Sequence, residues 1–214
     1  AASLLGVIAG SEAAWRRRSA ADRLLVVTGV LASNAPVFFT GMILLILFGV
    51  ELRWLPLAGG RTPFARYDNA LDQVRDYGTH LLLPALTLTL ALVGSKFLLV
   101  RNSVIGVLGE DFMLVARAKG LSPRRLKRHH ALRNAIVPFV HHLTAHAGFA
   151  ITGALFIETL FNYPGMGRLI FESVVARDYP VIQGVFLVVS VLVLGANLLA
   201  DWLTARLDPR TQEA

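Results

Sequence analysis

The sequence predicts an all-α bundle of membrane-crossing helices, and three features carry that expectation. Hydrophobic residues make up 55% of the chain and charged residues 16%, with a mean hydropathy of +0.58; a soluble domain carries about 25% charge. Four stretches stay apolar over the roughly 20 residues that a helix needs to cross a hydrocarbon core. Lysines and arginines gather between those stretches instead of along one face, the distribution that sets orientation in a bilayer. The formal charge of +7 is therefore expected to reflect topology, and no nucleic-acid partner is expected. Because the chain has no cysteine, disulfides and thiolate metal sites are excluded.

Taken in order, Ala1 to Ala9 is apolar but too short to span. It has no initiator Met and none of the charged start or cleavage site of a signal peptide, so it is expected to be the last turns of an incomplete helix. Arg16, Arg17, Arg18 and Arg23 precede a first span, Leu24 to Val50, that has no charge at all. The following loop, Glu51 to Thr79, sets Arg53, Arg61, Arg66 and Arg75 against Glu51, Asp68, Asp72 and Asp76, which suits the outer side. A second span, Leu81 to Val100, carries only Lys96, near enough to one end to snorkel. The next segment is strongly basic, from Arg101 through Arg117, Lys119, Arg124, Arg125, Lys127 and Arg128 to Arg133, and is expected in the cytoplasm.

A third span is expected over Ala135 to Ile157 and a fourth over Val181 to Ala200, closed by Asp201, with an outer segment from Phe161 to Pro180 between them. The tail with Arg206 and Arg210 would end in the cytoplasm. None of the four spans shows the polar stripe of a soluble helix. Pro36, Pro84 and Pro138 are expected to interrupt spans, and Gly148 and Gly153 to thin one for close packing. One membrane domain, residues 1–210, with a short tail, 211–214, accounts for the chain.

The segment of about 110–134 has the most information. Leu114 to Lys119 favours a helix, Gly120 suits a left-handed stop, and Ser122 before Pro123 reads as an N-cap with proline at the first helical position. Two short helices should meet at Gly120, the second running from Pro123 to about Leu132 with Leu126 and Leu132 as apolar anchors. Such a knob could dock on a cytoplasmic partner; a solvated basic connector, with its arginines on anionic lipid, is the other reading.

Other candidates are weaker. His142 and His146 have the i, i+4 spacing that can hold a metal on a helix face, with His141 beside them, but no carboxylate or cysteine in that helix completes a site, so no metal is expected. Glu158 and Asp201 lie at span ends, where solvation is the expected role. No Gly-x-x-x-x-Gly-Lys-Ser/Thr loop occurs, so the chain is not expected to hydrolyse ATP by that route, and no catalytic residue is assigned. A secondary transporter or channel is the alternative class, but the inverted repeats and filter segments of such proteins are not visible.

These motifs resemble a known family. The basic segment is similar to the cytoplasmic loop of binding-protein-dependent ABC importer permeases, whose pattern is Glu-Ala-Ala, three residues, Gly, nine residues, Ile, one residue, Leu-Pro. Gly120 matches the glycine, Ala116 the second alanine and Leu132 the leucine, whereas Leu114, Val115, His130 and Arg133 depart from it. The departures resemble the first-permease branch of dipeptide, oligopeptide and nickel importers, as do Ala116-Arg117-Ala118-Lys119-Gly120-Leu121-Ser122 and Ala131-Leu132-Arg133-Asn134-Ala135. Leu52 to Leu57, the run Phe161 to Leu169, Ala176 to Val181 and Leu207-Asp208-Pro209-Arg210 continue the likeness.

The resemblance implies six spans in a full protein, of which this chain would supply four and a stub, missing its N-terminal part. It implies a bacterial inner-membrane, multi-pass permease importing di- or oligopeptides; nickel chelates or another small solute are the alternatives. The implied partners are a second homologous permease, two ATP-binding subunits that hold ATP and Mg, an extracytoplasmic substrate-binding protein, and lipid. Ala116, Arg117, Ala118, Lys119, Gly120, Leu121, Ser122, Pro123 and Leu126 would form the ATPase-coupling element. Tyr163, Pro164, Gly165, Arg168, Arg177 and Asp178 would lie at the outer mouth, where the binding protein docks.

Overall fold

A computed structural model describes the backbone of residues 1–145 and 147–207, without the side chains at 137, 141, 143–152, 200 and 203–207. Among the described residues every regular element is helical: α1 Ala2–Trp15, α2 Ala20–Asn34, α3 Val37–Leu44 running into a π-helical stretch Leu45–Glu51, α4 Ala70–Leu108, α5 Asp111–Ala118, α6 Pro123–Arg125 running through a second π-helical stretch Leu126–Leu132 into α7 Arg133–Ala145, α8 Ala147–Leu160, α9 Met166–Ala176 and α10 Tyr179–Leu207. The all-α expectation holds.

Two of these helices, Ala70–Leu108 and the Tyr179–Leu199 part of α10, are long and apolar enough to cross a membrane. At about 1.5 Å per residue, the 39 residues of α4 reach well beyond a hydrocarbon core of about 30 Å, so its ends project from it. The first expected span, Leu24 to Val50, is not one helix. It breaks at Ala35-Pro36 into α2 and α3, sharply bent, and counts as a third span only as a broken pair. Pro36 is extended, with φ −58° and ψ 131°, and a proline drives the residue before it out of the helical region. At the end of α2, Asn34 donates its side-chain N–H to the Val30 carbonyl at 2.8 Å.

Pro84 and Pro138, in contrast, lie inside α4 and α7 without ending them. The third expected span, Ala135 to Ile157, falls on α7 and α8, with His146 between them outside the described residues. Asp208, Pro209, Arg210 and the tail residues 211–214 also lie outside them, as does the side chain of Arg206.

The chain divides into two compact units. The first holds Ala1–Asn34, Leu92–Ala147 and the segment from Val193. In it α1 lies close against α4: a Cβ on Gly10 would come 2.7 Å from the Phe97 carbonyl oxygen, so only a hydrogen there permits the approach. Arg101 of α4 grips Asp22 of α2 with both arms of its guanidinium, Nε to Oδ1 at 2.7 Å and the terminal nitrogen to Oδ2 at 2.9 Å. The planar fork matches the carboxylate, so the pair fixes orientation as well as charge.

The second unit holds Ala35–Ala91 and Gly148–Leu192. Its core is Leu83, Ile157 and Phe161, with Leu45, Phe48 and Leu160 packed around. Asp76, near the start of α4, organises the preceding loop. It accepts the Thr62 amide at 2.8 Å, the Thr62 hydroxyl at 2.5 Å and the Tyr67 hydroxyl at 2.7 Å. That hydrogen bond pushes the Tyr67 pKa up to about 12, so its hydroxyl stays a donor at any ordinary pH. The charge balance of this loop thus hides a specific job for one of its acids.

Large apolar side chains remain exposed along α2 (Leu24, Val27, Leu31) and α10 (Phe186, Leu187, Val191, Leu194, Leu198). In water such faces would be a liability. Against hydrocarbon or another membrane helix they are at home.

These 214 residues have no cysteine, so a topology test needs only that any cysteine elsewhere in the full-length protein be replaced by serine. In the full-length protein in sealed vesicles, Asp68→Cys and Ser122→Cys, on either side of α4, should react with an impermeant maleimide from opposite faces. Labelling of both from one face would remove α4 as a span.

Candidate functional site

The segment that the sequence singles out is built as two helices meeting at a left-handed residue. Helix α5 ends at Ala118 with Lys119 as its C-cap, and Gly120 takes φ +72°. The Gly120 amide donates to the Arg117 carbonyl at 2.9 Å and the Leu121 amide to Ala116 at 3.4 Å, the paired bonds of a Schellman stop. Ser122 is extended, Pro123 takes the first helical position, and the Leu126 amide returns to the Ser122 carbonyl at 3.0 Å. Ser122 makes no side-chain cap. Its contribution is backbone geometry alone.

The second helix does not stop near Leu132 as expected. Arg133 keeps right-handed helical angles, φ −59° and ψ −43°, and the chain continues into α7. The π-helical winding of Leu126–Leu132 accounts for the packing: bonding from i to i+5 brings residues five apart toward one face, and Leu126 and Ala131 are both buried. They join Met113, Ala116, Val100 and Val104 in one apolar cluster. A further tie is the ion pair from Lys127 to Glu12 of α1, which also pairs with Arg16 at 2.6 Å.

The residues expected to form the coupling element therefore divide. Ala116 and Leu126 are 5% exposed and face the chain's own core; both fasten the segment, Leu126 in the place of an apolar anchor. Leu121 is half-buried beside that core. Arg117, Ala118, Lys119, Gly120, Ser122 and Pro123 are exposed and form a continuous rim, and nothing lies within 4 Å of where a Gly120 Cβ would be. Leu114 and Val115, 60% and 54% exposed, extend this surface with apolar area. Their exposure on an amphipathic helix was a missed signal, since both were read only as departures from a pattern.

The outer turn belongs to the second unit. Asn162 ends α8 with φ 49°, its neighbour's amide, Tyr163, bonding back to Glu158 at 2.8 Å. Glu158 was expected to be solvated. Instead its carboxylate accepts the amides of Gly167 at 2.7 Å and Arg168 at 3.1 Å, closing the open N-terminus of α9, where backbone donors and the helix dipole favour an anion. Gly165 and Gly167 leave room for this: a Cβ on Gly165 would meet that carboxylate, and one on Gly167 the Leu155 backbone.

Arg168 is held by Glu172 at 2.6 Å and the Asn162 carbonyl at 3.1 Å, and Pro164 packs on Gly60. Arg177 ends α9 in the left-handed region at φ 56°, and Asp178 caps the start of α10 through the Val181 amide at 3.3 Å. Tyr163 is half-buried beside the Leu83 and Phe161 core. The six expected outer residues thus lie along the turn before α9, on α9 itself and at its junction with α10. Of the three histidines, His146 and the side chain of His141 lie outside the described residues.

Residues 2–213 match the family described as the binding-protein-dependent transport system inner membrane component. The chain belongs to that family. It is 38% identical over 206 residues to a probable peptide ABC transporter permease protein of Sinorhizobium fredii, covering 96% of this chain and 64% of that protein. It is 39% identical over 209 residues to the glutathione transport system permease protein GsiC of Escherichia coli K12, covering 97% of this chain and 63% of the relative. The chain thus spans a little under two thirds of the length of these relatives. As a member of an inner-membrane component family with apolar helices of spanning length, it is a membrane protein.

The burial pattern sorts substitutions in the coupling segment. Ala116→Glu and Leu126→Asp each bury an unpaired charge and should cost about 3 kcal/mol or more, lowering the yield and thermal midpoint of detergent-purified full-length protein. Lys119→Glu, on the rim, should leave both within about 0.5 kcal/mol of the parent. Equal stability of all three would show that Ala116 and Leu126 are not packed as described.

Proposed function

We propose that this chain is the pathway-forming part of a permease subunit of an ATP-driven bacterial importer, a multi-pass inner-membrane protein whose energy comes from separate ATPase subunits. The cargo class is peptides of a few residues. The family match and the two relatives' names, one a peptide permease and one a glutathione permease, support that choice, glutathione being itself a small peptide. A second homologous permease, two ATP-binding subunits and an extracytoplasmic binding protein complete the proposed assembly.

The observation that carries the reading is the Gly120 turn. A basic connector needs only to be soluble and could take any conformation. Here a left-handed residue with open space around it aims an exposed rim outward, while Met113, Ala116, Leu126 and Ala131 fasten the rim's inner side to α4. A push on the rim is therefore transmitted to a membrane helix, which is what a gating element requires. The chain itself does no chemistry in this scheme. The short outer helix, fixed by Glu158, is the proposed contact for the binding protein.

The test separates conformation from presence. In the full-length assembled complex, Gly120→Val forces a β-branched side chain into the left-handed region at a cost of about 1–2 kcal/mol. Uptake and ligand-stimulated ATPase activity should fall at least about tenfold, as that energy misdirects the turn, while membrane insertion and binding-protein capture persist. Gly120→Asn, which tolerates that region, should retain most activity. Normal coupling in a well-folded Gly120→Val complex would reduce the segment to a topological connector.

A further inference from the structure

Where α1 turns into α2, a cavity of about 560 Å³ opens, lined by Arg17, Arg18, Asp22, Arg23, Arg101 and Ile105. Its only acid is already committed. Asp22, 3% exposed, takes both arms of Arg101 and the Arg18 backbone amide at 2.9 Å. Among the described residues the side chains of Arg17, Arg18 and Arg23 form no ion pair. Arg18 takes a left-handed conformation at φ 70°, unusual for an arginine, and the Asp22 carboxylate holds that turn. Arg17, Arg18 and Arg23 thus border one opening without an ion pair among the described residues, an arrangement suited to phosphate oxygens.

The surroundings say which phosphate. Val27, Val30 and Leu31, four, seven and eight residues after Arg23 on α2, are 57%, 42% and 66% exposed, so an apolar stripe descends the helix face from the arginines. Ile105 adds an apolar wall within the cavity. Trp15, the last residue of α1, lines a smaller cavity with Arg17 and Arg117, and tryptophan favours the headgroup level of a bilayer. A free anion would need the guanidiniums alone. A lipid would use both the charged opening and the stripe below it.

We propose that this arginine-lined cavity binds the headgroup phosphate of one anionic phospholipid of the cytoplasmic leaflet, with an acyl chain along Val27, Val30 and Leu31. The site rests on the membrane reading proposed above and on the orientation expected from the lysine and arginine distribution. Its place between α1, α2 and α4 would make the bound lipid a brace for helices that also carry the coupling segment.

The test uses the full-length complex in detergent, with native mass spectrometry after addition of phosphatidylglycerol, phosphatidylcholine or millimolar inorganic phosphate. The triple variant Arg17→Gln, Arg18→Gln, Arg23→Gln leaves the Asp22–Arg101 pair intact, and Arg66→Gln is a control outside this unit. One phosphatidylglycerol should be retained per permease chain in the parent and the control. Retention should fall at least about tenfold in the triple variant, with no retention of phosphatidylcholine and no displacement by phosphate. Equal retention by the triple variant overturns the site, and displacement by inorganic phosphate overturns its lipid character in favour of a free-anion site. Failure of the underlying reading would look different, because the parent chain would then not partition into membranes at all.

Discussion

The packing of the segment around Gly120 against the C-terminal end of α4 is the constraint on which the rest depends. Met113 and Ala116 from α5, Leu126 and Ala131 from the π-helical stretch, and Val100 and Val104 from α4 share one buried cluster. A loop joined to a membrane helix only by its two ends would flex when pushed. One whose apolar inner side is buried moves with the helix, because a packed interior transmits displacement instead of absorbing it. The exposed rim from Arg117 to Pro123 therefore inherits the position of α4, and the left-handed Gly120 decides where that rim points.

Charge plays a second, more local part. The basic residues looked like a uniform signature of the inner side, yet the structure divides them by partner. Arg101 holds α2 through Asp22, Lys127 and Arg16 share Glu12, and Arg17, Arg18 and Arg23 border a cavity and, among the described residues, form no ion pair. In the other unit Asp76 and Glu158 do the converse, spending their oxygens on backbone amides and hydroxyls that pin a loop and start a helix. A carboxylate that accepts several such donors is a structural element, and its partners need not be cations.

Much of this was legible in the sequence, for identifiable reasons. Helical class and the α4 and α10 spans follow from hydropathy, and the stop at Gly120 follows from glycine before Ser122-Pro123, because those residues narrow the backbone's choices directly. The break at Pro36 was less legible. Pro84 and Pro138 have the same local signal but sit inside helices, and the side-chain bond that Asn34 makes to Val30 does not mark the difference, because Asn134 bonds to His130 in the same way within a helix that continues past Pro138. The continuation through Leu132 escaped because an α-helical period puts Leu126 and Ala131 on different faces, and only π winding reconciles them. Which surface buries Ala116 and Leu126 was not legible, because burial against a partner and burial against the chain's own α4 leave the same apolar mark on a sequence. Partners of Asp22 and Glu158 were illegible for another reason: Arg101 lies far away in sequence, and helix α9 had first to be placed.

A distance inside the first unit tests the central claim most directly. Asn102 on α4 and Arg124 beyond the Gly120 turn are both exposed, so each can carry a spin label through a single introduced cysteine. In the full-length assembled transporter, the separation should be narrowly distributed and the same with and without ATP, because the rim and the C-terminal end of α4 move as one packed body. A distribution that broadens, or a separation that shifts between the two states, would contradict the account by showing that the coupling segment moves independently of the helix it is held to drive.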